Sequence, residues 1–323
     1  MTAMMRAAQF HSYGPPDVIV TGTAPVPAPR ASEVLIRVGA TSIDGAGPLL
    51  RAGGLRPLSG RRFPKGLGMD FAGEIAALGD SVHDVAIGDP VWGVQDMKAM
   101  LSQLPTGSAA DYVVVAASRV ALVPAGLSSS DAVALIGGTT AMTALLDKAH
   151  LRPAERLLVR GGTGGVGYVG LQLGHALGAH VTALVSAPNL ETARQLGADV
   201  ALDYRATGPE DLGEFDVIFD TVGTQMGRYR NRLARGGRMV SISFNPVARG
   251  LATIAVSVIH GSRRIRTFSG NPTRALLDDY STYITAGQVH AMIAGTYELE
   301  DLAAAHRAAE AGGSPGKHVI TLH

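Results

Sequence analysis

Arg156-Leu157-Leu158-Val159-Arg160, then Gly161-Gly162-Thr163-Gly164-Gly165-Val166-Gly167, then an apolar stretch from Tyr168 to Leu177 decides how this chain folds. A short apolar run, a glycine-rich turn and a segment of helical length follow one another without a gap. Gly162 to Gly167 fits the pattern G-x-G-x-x-G between a predicted strand and a predicted helix, the setting in which that pattern carries meaning. Its glycines have separate expected tasks: Gly162 permits the tight turn, Gly164 lets a pyrophosphate approach the backbone, and Gly167 lets helix and strand pack closely. The helix N-terminus then faces the negative charge. A glycine-rich hairpin is the bland alternative, and the regular βαβ pattern around the turn disfavours it.

Working outward, the same alternation continues. Strands are predicted over 180–185, 198–202, 217–220 and 238–242 and a helix over 189–196, the pattern of a doubly wound α/β sheet. Upstream, Ser128-Ser129-Ser130-Asp131 reads as the cap of a helix running through Leu135, with a second apolar stretch over 140–146. The first 120 or so residues are different: short strands such as 33–38 and 111–115, separated by Gly and Pro. Residues 45–65 read as a long loop or a broken helix. After Phe268 a helix over 273–286 and a strand over 317–322 are expected to return to the first part of the chain.

At 323 residues the chain exceeds the usual size of one hydrophobic core, so two domains and a cleft between them are expected. A net charge of +1, from 28 basic against 27 acidic residues, leaves no footprint for nucleic acid; the tightest basic group, Arg263, Arg264 and Arg266, is short. No apolar run reaches the length of a membrane span and the N-terminus carries no leader pattern, which points to a cytoplasmic protein without a membrane partner. The sequence has no cysteine, which removes thiolate chemistry and every cysteine-based zinc site. Ten histidines are scattered without ligand spacing and read mostly as surface or helix-end residues.

In a dinucleotide fold, an acidic residue some 20 positions beyond the first glycines holds the ribose 2′-hydroxyl and repels a 2′-phosphate. Here the second strand ends Ala183-Leu184-Val185-Ser186-Ala187, so Ser186 stands where the acid would be, with Arg194, Tyr204 and Arg205 close by. That arrangement admits NADPH. Ser186 as an ordinary loop hydroxyl is the competing reading.

Five motifs in order, Gly68-Met69-Asp70-Phe71-Ala72-Gly73-Glu74-Ile75, Gly88-Asp89-Pro90-Val91-Trp92-Gly93, Gly138-Thr139-Thr140-Ala141, the glycine turn and Gly316-Lys317-His318-Val319, make the chain resemble the medium-chain dehydrogenase/reductase superfamily. Within it the chain is similar to the zinc-independent quinone oxidoreductase branch. The resemblance implies a GroES-like, β-rich catalytic domain over residues 1–124 and 268–323, a Rossmann NADPH-binding domain over 125–267, and a cleft between them. Zinc-dependent members carry Cys-x-x-Asp and Gly-His-Glu; the matching places here read Thr41-Ser42-Ile43-Asp44 and Gly68-Met69-Asp70. Thr41 and Met69 cannot replace a thiolate and an imidazole on zinc, so no metal is expected.

The resemblance also implies a cofactor site: Thr140, Gly162, Thr163, Gly164, Gly165, Val166 and Gly167, with Ser186 and Tyr204 on the 2′-phosphate, Ser243 and Phe268 beside the nicotinamide, and Lys317 approaching the cofactor. Ala187 replaces a lysine often found in the branch. Without a Lewis acid, hydride transfer favours an acceptor that delocalises charge, such as a quinone or an α,β-unsaturated carbonyl. No residue stands out as the acid; Asp44 and Tyr112 are the candidates, each with a structural alternative. Two other readings stay open: a tailoring enoyl reductase of polyketide or related metabolism, whose carrier phosphate the loop from Arg51 to Arg62 would meet, and a non-catalytic NADPH-binding protein. Relatives in the branch are commonly dimers, and residues 252–259, apolar and β-branched, read as an edge strand for homodimer pairing.

Overall fold

A computed structural model describes residues 3–96, 101 and 106–323; the start of the N-terminal stretch, Met1 and Thr2, lies outside them. Six parallel strands form the sheet that carries the glycine turn, in the order Val200–Asp203, His180–Val185, Arg156–Arg160, Phe215–Asp220, Leu233–Ser241, Ile265–Arg266. The strand order reverses between Arg156–Arg160 and Phe215–Asp220. Doubly wound sheets bind ligands beyond the carboxyl ends of the strands at such a reversal. The glycine turn leaves the first of these two strands there.

A seven-stranded sheet gathers Glu33–Ser42, Asp70–Leu78, Pro90–Val94, Tyr112–Ala116 and Val120–Leu122 with Ile293–Glu298 and Lys317–Thr321 from the C-terminal end. Lys317–Thr321 runs antiparallel to Glu33–Ser42, pairing Val319 with Ser42. A third, three-stranded sheet holds Met4–Phe10, Ile19–Pro25 and Lys65–Gly66. The helix Ser129–Leu135 links the halves: Ala132 to Leu135 are buried in one apolar cluster with Met69 and Trp92 from the seven-stranded sheet and Val159 and Tyr168 from beside the glycine turn. Ser128 caps it as expected, its Oγ accepting from the Asp131 amide at 3.1 Å. Among the described residues no helix is long and apolar enough to cross a membrane.

Two expectations need correction. Residues 252–259 are not a strand: Val247–Ser257 is an α-helix continued by a 3-10 segment, and the sheet edge is Ile265–Arg266. Gly250, Ile254 and Ser257 face inward at helical spacing, and that periodicity overrides the β-branched composition. Residues 45–65 form a broken helix, one of the two expected forms, in two short pieces, Ala46–Arg51 and Arg56–Ser59, but the first removes Arg51 from the surface. The Arg51 guanidinium is buried, donating to Gly14 O and pairing with Glu310, so it is not available to a carrier phosphate.

Candidate functional site

The turn is built by close approach. Gly161, not Gly162, adopts the left-handed backbone, with φ 70°, which corrects the expected division of labour. Gly162 instead packs its α-carbon against Leu171, Ala183 and Val185, where a Cβ would already be tight at 3.2–3.3 Å. Gly167 opens the helix Gly167–Ala176, and a Cβ on it would lie 2.0 Å from Gly161 O. Gly164 is different: a Cβ there meets only Gly161 O at 3.4 Å, so one side of the turn is open. A helix N-terminus with an open, side-chain-free backbone in front of it fits a pyrophosphate.

At the ends of the next two strands, Ser186 and Tyr204 come together because the Tyr204 amide donates to Val185 O at 3.0 Å. The half-exposed Tyr204 ring carries the Arg205 guanidinium 4.8 Å from its centre. Arg205 makes no side-chain ion pair among the described residues, whereas Arg194 is turned to Glu191 at 3.3 Å. Ser186, Tyr204 and Arg205 therefore form a polar, cationic corner at these strand ends.

On the other side of the turn lies the C-terminal strand. Gly316 donates its amide to Thr163 O at 2.9 Å, and the Lys317 stem packs beneath Gly165, 2.9 Å from where a Cβ would stand. The Lys317 ammonium is buried, paired with Asp70 and donating to Ser42 Oγ at 2.9 Å. Ser42 Oγ donates to Asp70 Oδ2 at 2.7 Å. Asp44 is half-buried; burial, then the Asp70 charge, pushes its carboxyl up to about 6, and its Oδ1 accepts from the amides of Ala46 and Gly47 at 2.6 and 2.8 Å. Lys317 thus reaches the turn with its stem and the Asp70 carboxylate with its charge.

Thr140 and the segment beginning at Phe268 are neighbours: Phe268 packs on the core around the helix Gly137–Met142, and a Cβ on Gly270 would lie 3.5 Å from Thr140 Oγ1. Ser243 sits on the loop after Leu233–Ser241; its carbonyl presses on Gly223 and accepts from Ser241 Oγ at 3.0 Å. Tyr112 is not part of this group. Its half-buried side chain packs with Met5, Ala7, Ala24 and Ala110 against the three-stranded sheet.

Two residues the sequence reading passed over support the site. Arg160, the last residue before the turn, is buried and pairs with Asp220 at 2.8 Å, its guanidinium 3.6 Å from the Tyr229 ring centre. Asp220 Oδ1 in turn accepts from the amides of Val222 and Gly223 at 3.0 and 3.1 Å, shaping the loop across the strand reversal. A charged residue at each of two adjacent apolar strand ends was the available signal.

The places of the zinc ligands hold other chemistry. Thr41 Oγ1 is buried, donating to Asp70 O at 2.7 Å and lying 2.8 Å from Ser108 Oγ, and Met69 is packed in the core. Among the described residues no group of three or more His, Asp or Glu side chains is placed to hold a metal. A committed hydroxyl and a buried thioether do not make a zinc site.

Residues 30–125 match the family described as alcohol dehydrogenase GroES-like domain, and residues 196–320 that described as zinc-binding dehydrogenase. A 2-methylene-furan-3-one reductase of Solanum lycopersicum is 32% identical over 98% of this chain and 79% of its own. The chain belongs to the medium-chain dehydrogenase/reductase superfamily. Within that superfamily it falls in the quinone oxidoreductase branch: a chloroplast envelope quinone oxidoreductase homolog of Arabidopsis thaliana is 31% identical over 81% of both chains. The quinone oxidoreductase of Coxiella burnetii superposes with a TM-score of 0.90 at 27% identity, covering 99% of this chain and 100% of that one. The superfamily's two-part architecture, a GroES-like fold and a Rossmann-type parallel sheet, is the one described above.

Proposed function

We propose that this protein transfers a hydride from NADPH to a quinone or an α,β-unsaturated carbonyl compound without zinc. The observation that carries the reading is the pairing of an open glycine turn with Ser186, Tyr204 and Arg205 at the next strand ends, in a chain whose zinc-ligand places are Thr41 and Met69. When bound, NADPH supplies the hydride. Gly161 to Gly167 and the helix N-terminus hold the pyrophosphate; Ser186, Tyr204 and Arg205 hold the 2′-phosphate; Thr140, Phe268 and Ser243 bound the nicotinamide. The reduced acceptor needs one proton, and Asp44, whose carboxyl burial and the Asp70 charge push up to about 6, is assigned as its source. The relatives' names point the same way, since they include an NADPH-dependent alkenal/one oxidoreductase of Arabidopsis thaliana.

The test is NADPH oxidation followed by absorbance with quinones, enones and enoyl thioesters, repeated with NADH and after exhaustive chelation. Turnover of a quinone or enone with NADPH, unaffected by the chelator, is expected; loss of activity on chelation or a preference for NADH overturns that part of the reading. Tight NADPH binding without turnover of any acceptor supports a non-catalytic role instead. Turnover of thioesters alone supports the enoyl reductase reading, which one observation favours: Arg56 and Arg61 line an open groove with Gly53, Gly54, Pro57 and Gly60, where a carrier phosphate fits. The protein is further proposed to be a cytoplasmic homodimer, using the exposed apolar face of Leu251, Val256, Val258 and Ile259. A monomer in sedimentation at micromolar concentration would remove the dimer.

A further inference from the structure

Asn189 is buried at the end of the 3-10 segment Ala187–Asn189, between two exposed residues of the phosphate loop and the helix Leu190–Gln195. Its amide nitrogen donates to Ser186 O at 2.8 Å and closes that loop. Its side chain points inward: Nδ2 donates to Thr163 Oγ1 at 3.2 Å and to Gly313 O at 3.0 Å. Thr163 is the residue between the glycines of the turn, and its carbonyl is already taken by the Gly316 amide. Three segments distant in sequence therefore meet at one carboxamide: the loop carrying Ser186, the glycine turn, and the glycine-rich approach to the C-terminal strand.

A buried carboxamide is a costly group to place here unless the bonds it makes matter. A hydrophobic residue would fill the same volume but could not set the distance between the loop and the turn. We propose that Asn189 is a positioning residue for the cofactor, holding the loop that receives the ribose phosphate at a set distance from the turn that receives the pyrophosphate, with the 313–316 segment as its anchor. The inference rests on the NADPH reading above. Its particular consequence is for discrimination. NADPH engages both loop and turn, so loosening one against the other weakens NADPH more than NADH, which draws on the turn and has no 2′-phosphate for the loop.

The experiment is a titration of NADPH and NADH by nicotinamide fluorescence on the whole protein and on Asn189→Ala, Thr163→Val and the double variant, with thermal melts of each without cofactor. For Asn189→Ala an increase of about tenfold in the NADPH Kd is expected, against a change of less than about threefold for NADH. Thr163→Val added to Asn189→Ala should cost less than it does alone, because the shared bond is already lost. With NADPH varied, the kcat extrapolated to saturation should stay near that of the wild type while the KM for NADPH rises. Equal weakening of both dinucleotides together with a lowered melting temperature would mean a merely structural role and overturn the proposal. A wild type that binds NADPH and an Asn189→Ala variant that binds it equally well overturn this inference alone. A wild type that binds neither dinucleotide overturns it together with the cofactor reading.

Discussion

Gly167 stands so close to Gly161 that a Cβ on Gly167 would lie 2.0 Å from the Gly161 carbonyl oxygen, whereas a Cβ on Gly164 would come no closer to that oxygen than 3.4 Å. The two glycines of one turn therefore answer differently to the same substitution. Gly167→Ala must push the helix from the strand, and a loss of about 1–3 kcal/mol or more in urea denaturation is expected. Gly164→Ala should fold with nearly wild-type stability yet lose NADPH affinity, because its methyl group occupies the open face. Equal stability of the two variants would count against this geometry.

The pair of Lys317 and Asp70 is buried on both sides. Lys317→Met strands a carboxylate in the core, and destabilisation of about 3–5 kcal/mol is expected from denaturant melts. Lys317→Met combined with Asp70→Leu should recover most of it, since removing both charges leaves none unpaired. Failure of the double variant to recover would show that Ser42 or the turn, rather than charge pairing, carries the stability.

Asp44 and His306 both lie beside Gly47 and titrate with opposite consequences. The Asp44 carboxyl, raised to about 6 by burial and by Asp70, keeps its proton longer in the folded protein than in the unfolded chain, so its contribution to stability falls as pH rises from about 4 to about 6. His306, lowered to about 4 by burial and by Arg51, is neutral in the fold where the unfolded chain is charged, so its contribution rises from about 4 to about 6.5. The two slopes oppose each other. Urea melts across pH 4–6.5 should show a steeper rise with pH for Asp44→Asn than for the wild type; a flatter one would contradict the assigned shifts.

Tyr280 is buried with its hydroxyl unpartnered among the described residues, stacked on Trp92 with ring centres 6.0 Å apart. Tyr280→Phe removes a donor that makes no bond and keeps the ring, so a change between neutral and about 1 kcal/mol stabilising is expected in thermal melts. Gly138→Ala, by contrast, places a Cβ 2.0 Å from the Tyr280 ring and should destabilise strongly. A Tyr280→Phe variant clearly less stable than the wild type would reveal a partner for the hydroxyl.

Arg205 over Tyr204 tests the phosphate corner. Arg205→Ala should weaken NADPH by roughly tenfold or more and leave NADH nearly unchanged, because a hydrogen-bonded charge on phosphate contributes about 1.5–3 kcal/mol. Fluorescence titration of both dinucleotides decides it.

The strand Arg156–Arg160, the turn and the helix after it were legible because local periodicity and glycine placement alone specify them. The cap at Ser128 was legible for the same reason. The helix Val247–Ser257 was not: composition favoured a strand, and only the packing of Gly250, Ile254 and Ser257 against the sheet decides for a helix. Arg51 likewise looked like a surface residue until Glu310, distant in sequence, was seen to claim it.

By itself the sequence determined the dinucleotide turn, the alternating α/β order and the absence of thiolate ligands, since each depends on residues next to one another or on which residue types exist. Only the tertiary structure decided that Lys317 joins the turn to Asp70, that Asn189 joins the loop after Val185 to Thr163, and that Tyr112 packs with Met5 and Ala24. Those contacts link positions separated by tens to hundreds of residues, and the distance between such positions is set by how the sheets pack, which no local pattern encodes.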